Sequence, residues 1–154
     1  MESLAVMPEP VRIEEQPIEL LLADGDAATR SRVASSARVV VDSLAVHEAA
    51  DGAEAIQIGL QRRPQIALLD ARMPRLGGIE VALVLRELVP GLRLALHTAN
   101  PAAHCHEARE LCLPLFDKLE LDRILRWLES QARPHRLARR PSMARGVGGG
   151  QSWH

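Results

Sequence analysis

Cysteine is scarce in this chain of 154 residues: Cys105 and Cys112 are the only two. They lie seven apart in a stretch expected to be helical, and two helical turns separate them by roughly 10 Å, too far for a disulfide in that conformation. A disulfide-stapled fold is thereby excluded, and a reducing cytosol is the expected setting. No apolar run approaches the ~18 residues needed to span a bilayer. The first residues, Met1 to Gln16, hold acidic side chains and no long apolar core, so they do not read as a signal peptide. Charge of one sign is also missing. The formal net charge of −1 gives no overall drive toward nucleic acid or a membrane. A chain of this length can bury one good core, which predicts a single domain.

What is present is an alternation of apolar runs and amphipathic segments. Ile18 to Ala23, Ser43 to Glu48, Ile66 to Leu69, Leu92 to His97 and Leu113 to Phe116 read as strands. Asp26 to about Arg38, Ala53 to Arg62, Gly78 to Leu88 and Pro101 to Leu111 read as helices, with Asp26 placed as the first N-cap. Leu121, Ile124, Leu125 and Leu128 recur at helical spacing and give a last amphipathic helix. Five strands alternating with five helices predict a three-layer α/β sandwich around a five-stranded parallel sheet. Met1 to Gln16 is expected to be a flexible arm, and Pro17 to Arg133 the folded domain. The segment 134–154, basic and glycine-rich, is expected to be a disordered tail. Some twenty residues cannot fold alone, so no output domain is expected within the chain.

The most informative segment is Pro64-Gln-Ile-Ala-Leu-Leu-Asp70-Ala-Arg-Met-Pro74-Arg-Leu-Gly-Gly78. Its apolar run stops at one carboxylate, and open α/β sheets bind ligands at the carboxyl ends of their strands. Other strands end in the same manner: the first at Asp24-Gly25-Asp26, the fourth at Thr98-Ala99, the fifth at Asp117-Lys118. Parallel, adjacent strands would bring all of these to one edge. Buried carboxylates so placed repel one another. A hard divalent cation such as Mg²⁺, which prefers oxygen ligands, removes that cost.

These residues, in this order and spacing, resemble the receiver domain of response regulators in two-component, phosphorelay signalling, over about Ile18 to Arg133. Glu48-Ala-Ala-Asp51-Gly52-Ala-Glu-Ala55 adds to the likeness. The resemblance implies a flavodoxin-like sheet in the order 2-1-3-4-5. It implies that Asp70 takes a phosphoryl group from a phosphohistidine on a histidine kinase or histidine phosphotransfer protein, forming an aspartyl phosphate. Mg²⁺ would be held by Asp24, Asp70 and the backbone carbonyl of Arg72. Lys118 would act as a point-charge phosphate partner, and Thr98 would donate its hydroxyl to the bound phosphoryl group. On this reading the chain is a phosphoacceptor and not an enzyme. It would be cytoplasmic, a monomer or weak dimer, and would pass its signal to an unidentified downstream protein. The surface from about Ala102 to Arg133 is where the family signals.

Three departures keep a second reading open, that of a pseudo-receiver acting as an interaction module. The family's second acid after the first strand is replaced by Gly25. Asp26, one step later, either reaches the metal or caps the helix, and the cap is the favoured reading. Leu119 stands where the family has a cis-linked proline, so a trans bond is expected. With no tyrosine and one phenylalanine in the chain, the family's rotating aromatic falls on Leu115, or on Phe116 if the register slips. A flavin-binding protein of similar topology fits less well, because Asp24-Gly25-Asp26 would repel a phosphate lacking metal. His97, His104, Cys105 and His106 show no four-ligand spacing and do not read as a zinc site. His97 reads as packed or hydrogen-bonded, and Trp127 as partly buried or a partner contact.

Overall fold

The computed structural model describes residues 16–137. The strands are β1 (Ile18–Ala23), β2 (Leu44–Ala49), β3 (Ile66–Asp70), β4 (Arg93–Thr98) and β5 (Leu115–Asp117). The helices between and after them are α1 (Ala27–Val40), α2 (Gly52–Arg62), α3 (Gly78–Leu88), α4 (Pro101–Glu110) and α5 (Leu121–Leu137). All strand pairings are parallel, in the expected order β2-β1-β3-β4-β5.

Side chains alternate across a strand, and that alternation sorts the core into two layers. Leu21 and Ala23, Ala67 and Leu69, and Leu94 and Leu96 pack with Ala55 of α2, Val81, Ala82 and Leu85 of α3, and Ala108 of α4. Leu20 and Leu22, Ile66 and Leu68, Ala95 and Phe116 pack on the opposite face with Val33 and Ala37 of α1 and Ile124 and Leu128 of α5. The central strands are apolar on both faces because helices cover both. Close packing also requires small residues. A Cβ at Gly59 would lie 2.7 Å from the Leu85 side chain, so α2 and α3 approach here only because that position has none.

The helix ends follow local chemistry. Asp26 caps α1 and Asp51 caps α2, each carboxylate accepting a hydrogen bond from a backbone N–H three residues on. Arg63, before Pro64, ends α2 in the left-handed region. Three expectations shift. β5 starts at Leu115 rather than Leu113, because Leu113 N–H bonds back to Ala108 O at the end of α4 and Pro114 has no N–H to give. Cys112 lies beyond α4 with φ of 55°, so the two cysteines do not share one helix; both are free and exposed. The last helix runs to Leu137, past the boundary expected at Arg133. The arm expected before Gln16 and the tail after Leu137 lie outside the described residues. Among the described residues no helix is long and apolar enough to cross a membrane.

Candidate functional site

Strand register builds the site. Ala23 of β1 is aligned with Leu69 of β3, Asp70 of β3 with His97 of β4, and Thr98 of β4 with Asp117 of β5. Asp24 follows Ala23 and Lys118 follows Asp117, so the residues expected at separate strand ends meet at the carboxyl edge. Lys118 N–H donates to Thr98 O across the last pair, which fixes where the lysine leaves the sheet.

Asp24 and Asp70 are 1% and 5% exposed, and they converge on one cation. Lys118 Nζ lies 2.8 Å from Asp24 Oδ2 and 2.9 Å from Asp70 Oδ2. Burial works against the charge of this ammonium, but its contacts with Asp24 and Asp70 outweigh burial and raise its pKa above the usual lysine value. Lys118 is the only lysine among the 19 basic Lys and Arg residues of the chain. A flexible point charge suits this position, where one group must serve two carboxylates, better than a planar guanidinium does.

The remaining carboxylate oxygens are held by backbone. Asp70 Oδ1 accepts from Arg72 N–H at 3.0 Å, and Asp24 Oδ1 accepts from Asp26 N–H at 2.8 Å. Asp24 Oδ2 is different. It is buried and no backbone donor reaches it; its close neighbours are Lys118 Nζ at 2.8 Å and His97 Nε2 at 3.4 Å. Thr98 is buried at the same edge, its Oγ1 accepting from Asn100 N–H at 3.1 Å.

Asp26 stands apart. Its Oδ2 accepts from Thr29 Oγ1 at 2.6 Å and Thr29 N–H at 3.2 Å, and those bonds lower its pKa. It serves as the cap of α1, and Asp24 and Asp70 are left as the paired acids. Among the described residues no group of three or more His, Cys, Asp or Glu side chains is arranged to hold a metal. Two carboxylates still suit Mg²⁺, which commonly takes one or two of them and keeps several waters. Asp24 Oδ2, paired only with side chains, and the Asp70 carboxylate are oxygens that suit such an ion.

Gly25 does not adopt a left-handed conformation, and a Cβ there would meet Pro74 Cδ at 3.5 Å and Ala50 O at 3.8 Å, both ordinary contacts. Nothing in the backbone requires glycine. Other glycines are required. A Cβ on Gly78 would be 2.3 Å from Asp70 O, and one on Gly52 would be 2.2 Å from Leu76 O. The peptide before Leu119 is trans, as expected, and Leu119 is 87% exposed. Leu115 is partly buried against the α2–α4 layer, whereas Phe116 is buried on the opposite face, 5.9 Å from Trp127 between ring centroids. Leu115, and not Phe116, therefore faces the α2–α4 side of the sheet.

A family model for the response regulator receiver domain matches residues 20–111. The chain belongs to that family. Curated receiver-containing relatives include the response regulator MprA of Mycobacterium sp. (strain KMS), 35% identical over 84 residues, which covers 54% of this chain and 36% of MprA. The transcriptional regulatory protein TcrX of Mycobacterium tuberculosis is 31% identical over 91 residues, 59% of this chain and 38% of TcrX. The matches therefore span little more than a third of these relatives' length. The solved signal receiver domain of NarL from Mycobacterium tuberculosis superposes with a TM-score of 0.67 at 26% identity, covering 77% of this chain and 98% of that domain.

The sequence did not mark two contributors to this receiver's site as such. Arg30 of α1 donates from Nη1 to Asp24 O at 2.7 Å and from Nε to Glu48 Oε1 at 3.1 Å, clamping the β1–α1 turn to the end of β2. Nothing in its spacing distinguishes it from the chain's other arginines. His97 was legible as a buried strand residue, but its approach to Asp24 depends on the β1–β3–β4 alignment.

Proposed function

We propose that this receiver accepts a phosphoryl group on Asp70 from a phosphohistidine of a histidine kinase or phosphotransfer protein, with Mg²⁺ as cofactor. The observation that carries the proposal is the convergence of Asp24, Asp70 and Lys118 within one ion-paired cluster at the carboxyl edge of the sheet. Phosphoryl transfer asks the protein mainly for positioning and charge neutralisation. A carboxylate oxygen of Asp70 forms the new P–O bond as the P–N bond to the donor imidazole breaks, and the departing nitrogen keeps the bonding pair. Lys118, already within reach of Asp70, stays positive at neutral pH and neutralises the added phosphoryl charge. Arg72 N–H holds the second oxygen of Asp70 and fixes the plane of the carboxylate. Mg²⁺, held by Asp24, Asp70 and the Arg72 carbonyl, would supply further positive charge to the phosphoryl oxygens.

Thr98, one residue beyond the Asp70–His97 pair, would donate its hydroxyl to the new group. The altered state would be read on the face formed by α4, β5 and α5. Phosphoacceptance, rather than turnover of a substrate, is the expected activity, and the cytoplasm is the expected location of a partner kinase domain. Gly25 and Leu119 favour a second reading, an interaction module that has lost efficient phosphorylation. Incubation with acetyl phosphate, with and without Mg²⁺, separates the two. A Mg²⁺-dependent mass gain of one phosphoryl group supports the acceptor, and an unmodified chain under both conditions supports the interaction module.

A further inference from the structure

His97 is the one fully buried histidine among the described residues, 0% exposed near the carboxyl end of β4. It is in register with Asp70, and its Nε2 reaches the end of β1. Nε2 is 3.5 Å from Ala23 O, in hydrogen-bond geometry, and 3.4 Å from Asp24 Oδ2. Nδ1 is buried with no hydrogen-bond partner.

The tautomer follows from these contacts. Two acceptor oxygens face Nε2, so a lone pair there would meet two negative ends, whereas an N–H satisfies them. An N–H at Nδ1 would be an orphaned buried donor, which folded proteins rarely tolerate. A doubly protonated ring would orphan that same Nδ1–H, so the fully buried ring is neutral. Neutral His97 therefore carries its single proton on Nε2, directed at the last β1 carbonyl and beside Asp24 Oδ2, which no backbone donor reaches.

We propose that His97 is a positioning residue for the divalent-cation site: its Nε2–H anchors the Ala23–Asp24 turn to β4 and sets Asp24 Oδ2 as a ligand oxygen. This rests on the phosphoacceptor reading above and deepens it. Hydrogen-bond donors behind metal ligands fix ligand orientation, and their loss typically costs 10–100-fold in metal affinity. Here the effect is expected at the low end, about tenfold, because Asp26 N–H and Lys118 also hold Asp24.

The test is a Mg²⁺ titration of the full chain as wild type, His97→Leu and His97→Gln, with folding followed by thermal unfolding. Leucine fills the space without a donor, whereas glutamine places an amide N–H near the Nε2 position. The expected result is about tenfold weaker Mg²⁺ binding in His97→Leu and recovery to within about threefold of wild type in His97→Gln. A second measurement does not depend on either variant's stability. Imidazole ¹⁵N spectra of the wild type should show His97 as the neutral Nε2–H tautomer, with a shift on addition of Mg²⁺. Wild-type affinity in a folded His97→Leu, equal weakness in a folded His97→Gln, or an Nδ1–H tautomer would each overturn the proposal while leaving the phosphoacceptor reading intact. Absence of Mg²⁺ binding by the wild type would overturn both.

Discussion

Replacing Gly25 by Asp should tighten Mg²⁺ binding and speed phosphorylation of Asp70. The perturbation is clean in structural terms, since Gly25 has no left-handed φ and its Cβ would make only van der Waals contacts with Pro74 and Ala50. The cap of α1 is unaffected, because Asp26 holds it through Thr29. The local charge of Asp24, Asp70 and Lys118 is −1 − 1 + 1 = −1, and a carboxylate at position 25 makes it −2. At about 5 Å and an effective dielectric near 20, one such charge attracts a dication by roughly 6–7 kcal/mol. Stripping water from the carboxylate and the ion removes most of that. A net gain of ~1–2 kcal/mol, on the order of tenfold in affinity, is the expected remainder. The metal-free variant should be less stable than wild type at low salt, because three carboxylates then share one ammonium. Calorimetric titration with Mg²⁺, with thermal unfolding in chelator and in Mg²⁺, measures both effects. A folded variant whose Mg²⁺ affinity is unchanged would refute the reasoning, showing that the ion does not sit within reach of position 25.

Further outcomes follow from the same geometry. Lys118→Ala leaves Asp24 and Asp70 buried without their shared cation; it should cost about 2–3 kcal/mol at neutral pH, with Mg²⁺ raising the Tm more than it does for wild type. Because the folded pKa of Lys118 is raised, that stability difference should hold below about pH 10.4 and close as pH rises through the folded value, as pH-dependent urea unfolding can check. Asp26→Ala should lower stability without changing Mg²⁺ affinity, since its carboxylate is committed to the helix cap. The folded pKa of Asp26 is lowered, so its contribution should be full above about pH 3.9 and be lost as pH falls through the folded value. Gly78→Ala drives a methyl into the Asp70 carbonyl; a loss of roughly 1–3 kcal/mol in chemical denaturation and slower phosphorylation are expected.

Much of this molecule was legible in its sequence because its signals are local. Apolar runs on both faces mark central strands, and Asp26, Asp51 and Pro64 punctuate helices by their own side chains. Phosphoacceptor candidates were legible for a similar reason: each of Asp24, Asp70, Thr98 and Lys118 lies within two residues of the end of an apolar run. What was not legible depends on alignment between strands or on the course of a turn. Leu113 was read as strand, although its N–H is taken by Ala108 of the preceding helix. Whether Leu115 or Phe116 faces α4 turns on a one-residue register. Arg30 reaches Asp24 and Glu48 only because α1 packs beside the β1–β2 edge. The approach of His97 to Asp24 is likewise a product of the β1–β3 and β3–β4 registers.

The central claim is that Asp70 is a phosphoryl acceptor served by Mg²⁺ and Lys118. Its most direct test is intact-mass analysis of wild type and Asp70→Asn after exposure to acetyl phosphate in Mg²⁺, followed by hydroxylamine treatment. Asparagine keeps the shape of the side chain but is a poor nucleophile. The expected result is one phosphoryl adduct on the wild type, lost in chelator, removed by hydroxylamine and missing from a folded Asp70→Asn. An equal, hydroxylamine-resistant adduct on both proteins, or none on the wild type, would contradict the claim.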